Sequence, residues 1–400
     1  MAGSLFWGEI KRVLTPLDPE DLLSASIRDT GLADFGEPQC EEALRVLADS
    51  CNSEADLNLF GHFAARRHLI DLLCTRLKLW NFWQQTPEVQ AQRISEPVFI
   101  TGMPRSGTTF LHDLFAQDPG NRVPRTWEVM FPFPPPTREG TDSDPRISKA
   151  ENRLRWLHWI HPAIAKAHPV GARLPQECIA ITSYSLRSDE FLEMFRIPSY
   201  EKWLRRQDMG PVYLFHRRFL SHLQWRCSGA RWVLKAPDHV HSLKALIGAY
   251  PDARIIFMHR DPLKVVGSVA SLTAMLRGAF CRHDDPRLLG ADEARILADK
   301  AVKMMEFHDS YQRLSDRFID IRYMDLVRDP LGTIRRIYDS FGFAFHPGAE
   351  ARIRGFITAL RSKRRPRHTY RLSDFGLDSQ QEDARFTLYR ERFAVERETL

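Results

Sequence analysis

The 400-residue sequence predicts an α/β fold with a central, mostly parallel sheet flanked by helices, preceded by a helical N-terminal region. Three observations predict it. Apolar residues recur near helical spacing between residues 38 and 90, short apolar and β-branched runs follow, and each of these runs precedes a helical pattern. Strands that alternate with helices are typical of a parallel sheet.

The N-terminal region is expected to be helical and to pack on the sheet. Phe63, Leu73 and Leu77 are among the apolar residues that recur at helical spacing. We therefore divide the chain into a helical region, residues 1–95, and an α/β region, residues 96–400.

Four short apolar runs predict buried strands, because each is rich in β-branched or aromatic residues. They are PVFITG (97–102), RWVLK (231–235), ARIIFMHR (253–260) and RFIDIRY (317–323). Ligands of such sheets bind beyond the carboxyl ends of the strands. We therefore expect the polar residues at these ends, Arg105, Lys235, Arg260 and Tyr323, to lie along one edge of the sheet.

The composition is that of an ordinary soluble globular protein, with 43% hydrophobic and 27% charged residues. No apolar run approaches the roughly 18 residues of a membrane helix, and the N-terminal MAGSLFWGEIKRVL lacks the pattern of a signal peptide. Six scattered cysteines without a C-x-x-C pair argue for reduced thiols and against a zinc site. We therefore expect a cytoplasmic protein without a transmembrane segment.

The net charge of +6 arises from one segment, RSKRRPRHTYR. This segment carries six positive charges and no acidic residue, so the rest of the chain is formally neutral (six minus six is zero). A nucleic-acid-binding protein spreads basic residues over a face. The segment therefore indicates a solvated surface or a local anion clamp, and no nucleic-acid partner is expected.

A glycine-rich turn joins the first predicted strand to a helix in FITGMPRSGTTFLHDLFAQ. Gly102 and Gly107 stand five apart, as in the nucleotide-binding motif G-x-x-x-x-G-K-[ST], but Thr108 occupies the position of the lysine. Such a turn directs backbone N–H groups and a helix N-terminus toward an anion. Nearby hydroxyls and the fork of Arg105 add further donors.

A second feature of the nucleotide-binding motif, the aspartate that holds magnesium, is also missing. None of the later predicted strands ends in an aspartate suited to hold magnesium, as a magnesium-dependent kinase requires. A phosphosulfate group, which needs no metal, fits this loop better than a nucleoside triphosphate.

Several segments resemble, in this order, the sulfotransferases that use 3′-phosphoadenosine-5′-phosphosulfate (PAPS). They are PRSGTTF, WVLKAPDHV, HRDPLKVVGSVASL, IRYMDLVRDPLGTIRRIYDSFG and HTYRLSDFGL. The loop is similar to the P-R-[ST]-G-T-T of the bacterial-type branch, and the resemblance extends from about residue 30 to about residue 395. It implies a P-loop-like α/β domain that moves a sulfuryl group from PAPS to a hydroxyl or amine, without a metal, leaving 3′,5′-bisphosphoadenosine.

The resemblance also implies roles for single residues. The loop residues that would hold the 5′-phosphosulfate are Arg105, Ser106, Gly107, Thr108 and Thr109. Arg260 and Ser268 would hold the 3′-phosphate, and Tyr323 resembles the adenine-side tyrosine, with a core tyrosine as the alternative. The basic segment 361–377 resembles the loop that closes over the nucleotide, where we assign Arg365 and Arg367 to the 3′-phosphate.

Lys235 matches the lysine that follows a strand in this family. Many cytosolic members have a second lysine where Arg105 stands, and arginine cannot donate its proton. The stabilisation of charge on the bridging oxygen is therefore expected from Lys235.

Three residues compete as the base that takes the acceptor proton. Glu128 ranks first, because the protein-tyrosine branch keeps a glutamate in this region, although the local match is displaced by two positions. His239 ranks second, since it stands four positions after Lys235 where cytosolic members have histidine two after the lysine. Glu177 ranks third, because an acid that opens a helix also favours the helix dipole.

The acceptor is expected to be a small molecule, lipid or carbohydrate that carries the reacting group. The sequence leaves a homo-oligomeric assembly open. The alternative function is a small-molecule or nucleotide kinase. Such a kinase has a similar loop but would bind ATP with magnesium.

Overall fold

The structure is a computed structural model that describes residues 15–138, 142–160, 171–227, 231–362 and 370–398, with the backbone alone for 156–160. Within these ranges, no helix has both the length and the apolar character required to cross a membrane.

A parallel sheet of five strands lies at the centre of the described chain. The strands are β1 (Val98–Gly102), β2 (Asn121–Arg122), β3 (Arg231–Lys235), β4 (Arg254–His259) and β5 (Phe318–Arg322), in the spatial order β2-β3-β1-β4-β5. All neighbouring pairs are parallel. The predicted fold class and the four predicted strands are confirmed, with end points that differ by one residue at most.

The runs of β1, β3 and β4 form central strands because both faces of the sheet are covered. The fourth run forms the edge strand β5, in which only Ile321 is buried, so a strand is confirmed there but a buried one is not. On one face, Phe99 and Phe257 join the larger hydrophobic core, which includes the N-terminal helices. On the other face, Ile100, Ile256 and Met258 pack in a second core. Successive residues of β1 and β4 therefore alternate between two cores, which explains why the interior of these strands is mainly apolar.

Helices connect and cover the strands. The α-helices are Pro19–Thr30, Glu41–Glu54, Leu59–Gln85, Thr108–Phe115, Thr126–Met130, Pro145–Ile160, Ile179–Thr182, Glu190–Met194, Pro198–Leu204, Gly210–Gln224, Leu243–Ala249, Pro262–Arg277, Pro286–Ser310, Tyr323–Arg328, Pro330–Phe341, Pro347–Ser362, Ser379–Arg385 and Thr387–Phe393. Short 3₁₀ helices are Pro87–Val89, Ser183–Ser185, Pro237–Ser242, Gln312–Arg317 and Leu372–Phe375.

The register of the sheet brings the ends of the strands together. Gly102 pairs with Met258, and His259 pairs with Arg322. Ile100 pairs with Lys235. Because the strands are parallel, the segments that follow them leave the sheet at the same edge.

The N-terminal region is helical where the sequence predicts helices. Leu73 and Leu77 of the helix Leu59–Gln85 are buried, whereas Phe63 is 51% exposed and lies outside the packed face. The larger core contains residues of these helices together with residues of β1 and β4. The division of the chain at residues 95 and 96 stays a prediction.

Arg76 ties the N-terminal region to the rest of the chain. Its fully buried guanidinium donates to the carbonyl oxygens of Phe35 (2.7 Å), Gly36 (3.1 Å), Pro38 (2.6 Å) and Tyr184 (2.9 Å). A buried carbonyl without a donor is costly. One side chain therefore satisfies four acceptors in two distant parts of the sequence.

We predict that Arg76→Met lowers the free energy of unfolding by about 2–4 kcal/mol, since methionine keeps an apolar stem but leaves buried carbonyls without donors. Urea unfolding measures the change. The control is Arg67→Met, because Arg67 is 58% exposed and pairs only with Asp71 among the described residues. Equal midpoints for the two variants would contradict the prediction.

Candidate active site

The loop between β1 and the helix Thr108–Phe115 has the conformation of an anion-binding turn. Gly102, Arg105 and Gly107 have positive φ angles of 115°, 58° and 89°. A β-carbon on Gly102 would lie 2.4 Å from the carbonyl oxygen of Met258, so only glycine fits where β1 passes β4. The loop then enters the helix, whose first N–H groups have no partner within the helix.

The loop side chains take up specific contacts. Ser106 is buried and its hydroxyl donates to the carbonyl oxygen of Met103, within the loop. Thr108 is also buried, at the first position of the helix. Nε of Arg105 donates to Oγ of Ser268 at 3.2 Å. Burial and the neighbouring charge of Arg260 lower the pKa of Arg105.

Arg260 and Ser268 both contact Arg105 of this loop. Asp261 caps the helix Pro262–Arg277, and Ser268 lies about two turns along it. Nη1 of Arg260 donates to the carbonyl oxygen of Arg105 at 2.7 Å. The structure therefore brings together the loop and the second segment that the sequence assigns to the nucleotide.

Tyr323 lies against both segments. The guanidinium of Arg260 stands 3.9 Å above the centre of its ring, and a β-carbon on Gly107 would lie 3.2 Å from the ring. Tyr323 follows β5 directly. Tyr323 is half-buried, which favours a position at the site over one in the core, and its role beside the adenine stays a prediction.

Sequence reasoning missed Tyr370, which covers the same helix. Its ring packs directly on Gly267, where an added β-carbon would lie only 2.6 Å from the ring. The Tyr370 hydroxyl donates to the carbonyl oxygen of Lys264 at 2.8 Å. Tyr370 lies in HTYRLSDFGL, one of the segments that resemble the family, and this resemblance could have indicated it. Arg365 and Arg367 lie outside the described residues.

Lys235 lies at the end of β3, next to residues 103–109, which are called the phosphate loop after their predicted role. Its buried ammonium donates to Oγ1 of Thr109 at 3.2 Å and forms an ion pair with Glu177. The backbone explains this pairing, since the N–H of Cys178 donates to the carbonyl oxygen of Lys235 at 2.9 Å. Glu177 is thereby held beside the strand end.

Glu128 has a different environment. Its buried carboxylate accepts from Nη2 of Arg122 at 3.0 Å and from the backbone N–H of Arg125 at 2.9 Å. Arg122 in turn stacks on Trp232 at 4.5 Å. These contacts connect the short strand β2 to the helix Thr126–Met130. Glu128 is thus paired with Arg122, whereas Glu177 is the carboxylate paired with Lys235.

His239 lies in an aromatic part of the core. Nδ1 is 2.6 Å from the hydroxyl of Tyr213, and the ring packs edge-to-face on Phe99. Burial lowers the pKa of His239 to about 3, so the imidazole is neutral at pH 7. Among the described residues, the Lys235 ammonium has Thr109 and Glu177 as its hydrogen-bond partners, not His239.

A group of acidic residues with His241 lies close enough to share a cation. The group comprises Asp189, Asp238 and His241. Arg205 already pairs with Asp189, and Lys300 pairs with Asp238 at 2.6 Å. The carboxylates are therefore neutralised by side chains of the protein, and the expectation of a metal-free reaction stays a prediction.

A hydrogen-bonded network supports the strand end that carries Arg260. Oδ1 of Asp320 lies 2.8 Å from Nε2 of His259, and both carboxylate oxygens lie 3.1 Å from Nε2 of His308. Nδ1 of His259 is 2.9 Å from the hydroxyl of Tyr389. Burial acts to raise the pKa of the Asp320 carboxyl, but the hydrogen bonds of the two histidines offset this and hold the pKa below its usual value.

Comparison with known proteins decides the family. The profile of the sulfotransferase family matches residues 97–347, which include every strand of the sheet. The chain belongs to the sulfotransferase family. Members of this family typically take the sulfuryl group from PAPS, so this sulfotransferase is a sulfuryl transferase, and the alternative function as a kinase is not favoured.

Relatives with assigned functions or solved structures agree with this assignment. The sulfotransferase is 25% identical to the omega-hydroxy-beta-dihydromenaquinone-9 sulfotransferase Stf3 of Mycobacterium bovis over 316 residues, which cover 70% of this chain and 72% of Stf3. The crystal structure of STF1 from Mycobacterium tuberculosis H37Rv matches with a TM-score of 0.83 and 31% identity, over 93% of this chain and 99% of STF1. STF9 from Mycobacterium avium matches with a TM-score of 0.85 and 27% identity, over 94% of this chain and 97% of STF9.

We predict that the network of Asp320 stabilises the sulfotransferase above the usual pKa of an aspartate, about 3.9, and that this contribution is lost as the pH falls below it. The sign follows from the lowered pKa, because the folded state binds the proton less readily than the unfolded state. Urea unfolding of the wild type and Asp320→Asn at several pH values measures it. The difference in unfolding free energy should be constant above about pH 5 and shrink below about pH 4.

A difference that stays the same from pH 6 to pH 3 would contradict this prediction. Asp309→Asn is the control, since Asp309 is 63% exposed and pairs at the surface with Arg392. Its contribution is expected to be small at every pH.

Proposed function

We propose that this sulfotransferase moves the sulfuryl group of PAPS to a hydroxyl by in-line displacement. The observation that carries the proposal is the position of Lys235, which contacts Thr109 of the phosphate loop on one side and Glu177 on the other. A cation that must stabilise the leaving oxygen and a carboxylate that can take the acceptor proton are thus adjacent.

The donor side is proposed to comprise the loop and the Arg260 segment. The loop has the backbone of an anion-binding turn, because Gly102 and Gly107 have positive φ angles and let the chain pass close to Met258 and Tyr323. Backbone N–H groups, hydroxyls and two guanidinium groups converge there. Residues proposed to hold the nucleotide are Arg105, Ser106, Gly107, Thr108, Thr109, Arg260, Ser268, Tyr323, Arg365 and Arg367.

Bound PAPS would supply a sulfuryl group on an excellent leaving phosphate. Lys235 stabilises the charge that develops on the bridging oxygen, since its ammonium is buried and already directed at the first turn of the loop helix. Arg105 adds fixed positive charge without transferring a proton.

For the base, we propose Glu177 ahead of Glu128 and His239. Glu177 contacts the catalytic lysine and remains 20% exposed, so an acceptor hydroxyl can reach its second oxygen. Glu128 is 3% exposed and fully engaged by Arg122 and a backbone N–H. The structure thus supports an order different from the one that the sequence favoured.

The acceptor is proposed to be a hydroxyl of an apolar or lipid-like compound. Support comes from the relative Stf3, whose name places its reaction on the hydroxyl of a menaquinone. Incubation with labelled PAPS and separate sets of lipid, phenol and carbohydrate hydroxyls, scored by mass, tests this proposal. Transfer to carbohydrates alone would contradict the lipid assignment.

We predict that 3′,5′-bisphosphoadenosine binds at least about 10-fold more tightly than AMP in the absence of magnesium, because Arg260 would contact only the former through the 3′-phosphate and a charge-assisted hydrogen bond contributes about 1.5–3 kcal/mol. Arg260→Ala should remove most of this preference. Isothermal titration calorimetry measures both affinities.

Arg328→Ala is the matched control, since Arg328 is 60% exposed and pairs at the surface with Glu396. It should keep the full preference. Equal affinities of the wild type for the two nucleotides would exclude the proposed donor site, and tight magnesium-dependent binding of ATP would favour a kinase.

We also predict that Glu177→Gln lowers kcat by about 10²–10⁴-fold with little change in the affinity for bisphosphoadenosine, since the amide cannot accept the proton. Glu128→Gln should reduce the unfolding free energy, yet keep the turnover of the folded fraction.

The opposite pattern would identify another base. If Glu177→Gln turns over normally while Glu128→Gln or His239→Ala does not, the proposal for Glu177 is wrong. Active-site titration with bisphosphoadenosine, which counts folded enzyme, keeps a folding defect from being read as a catalytic one.

A further inference from the structure

The last described residue, Glu398, forms an ion pair with Arg260. Its two carboxylate oxygens accept from Nε at 2.8 Å and from Nη2 at 2.9 Å. Both side chains are largely buried, with 16% and 18% exposed. A two-bond pair of this kind fixes the orientation of the guanidinium as well as its position.

The backbone around Glu398 is anchored at the same place. Its N–H donates to Oδ2 of Asp261 at 2.8 Å, while Oδ1 of Asp261 accepts from the N–H of Leu263 and from Arg390. Asp261 is 2% exposed. One buried carboxylate therefore joins the start of the Ser268 helix to the C-terminal segment.

Arg260 is thus held on three sides. Glu398 takes Nε–H and one N–H of Nη2, the carbonyl oxygen of Arg105 takes one N–H of Nη1, and Tyr323 supports the face of the group. Arginine has five N–H donors. Two donors, one on each terminal nitrogen, have no acceptor in the part of the chain that the structure describes.

From this geometry we infer that Glu398 is a positioning residue of the nucleotide site, which holds Arg260 so that its two remaining donors meet the 3′-phosphate. The inference rests on the proposed function, in which Arg260 binds that phosphate. Burial acts to lower the pKa of Arg260, but the carboxylate of Glu398 offsets this and raises it above its usual value. The guanidinium therefore stays charged.

Glu398 could instead compete with the nucleotide for Arg260, and this role predicts a different binding result. A carboxylate can compete with a phosphate for the same guanidinium, and in that case its removal would strengthen binding of the 3′-phosphate. The two-bond contact on the Nε side favours positioning, because it leaves a donor on each terminal nitrogen for a ligand.

The test compares Glu398→Gln with the wild type in calorimetric titrations of 3′,5′-bisphosphoadenosine and AMP. We expect bisphosphoadenosine to bind about 10-fold more weakly to the variant, since a neutral amide pairs less strongly with the guanidinium. AMP, which lacks the 3′-phosphate, should change less than about twofold, and Glu398→Asp should restore part of the loss.

Glu396→Gln is the matched control, because Glu396 lies two positions away and its side chain is 60% exposed at the surface with Arg328. It should leave both affinities unchanged. Thermal unfolding without nucleotide shows whether each variant is folded. A general loss of structure would weaken both nucleotides equally, which would overturn the inference.

Tighter binding of bisphosphoadenosine by Glu398→Gln would show competition and overturn the positioning role. Unchanged binding of both nucleotides would overturn it as well. A wild type that does not distinguish bisphosphoadenosine from AMP would instead exclude the proposed function, so the two failures are separable.

Discussion

The close passage of β1 beside β4 is the constraint on which the site depends. Gly102 pairs with Met258 in the parallel register, and a β-carbon there would lie 2.4 Å from the Met258 carbonyl oxygen. The chain can therefore turn at once into the phosphate loop, above the end of β4. Arg260 leaves β4 two residues after Met258, and its guanidinium reaches the carbonyl oxygen of Arg105. Strand packing and the conformation of the proposed anion-binding loop are thus set by the same contact.

The cations of the site already have partners within the protein. Arg260 pairs with Glu398, Lys235 pairs with Glu177, and Arg105 donates to Ser268. Partly buried cations without counter-charges or acceptors would be costly. The same partners give the site its asymmetry, since one carboxylate lies beside the proposed 3′-phosphate position and the other beside the proposed acceptor. A ligand anion would enter a site whose donors are already oriented.

The sequence predicts the strands of the sheet better than it predicts the side-chain pairs at their ends. The four apolar runs identify four strands. Three of them, β1, β3 and β4, are central strands, and buried parallel strands require nearly continuous apolar residues. The two-residue strand β2 is too short to give such a run. Nothing local indicates that Glu177 rather than Glu128 meets Lys235, since the pairing depends on a backbone contact of Cys178 in a different segment. Glu398 lies 138 residues from Arg260, and no periodic pattern links the two.

The missing lysine of the phosphate loop can now be explained by the sheet. A lysine at position 108 would stand at the first turn of the loop helix, where Thr108 is buried. Here the ammonium comes from the neighbouring strand instead, as Lys235 reaches Thr109 from β3. On the other side, the acidic residue within β5, Asp320, is engaged by His259 and His308. The positive charge therefore enters from the side of the loop that also carries Glu177. In the proposed reaction, the leaving oxygen and the acceptor proton would meet this one ion pair.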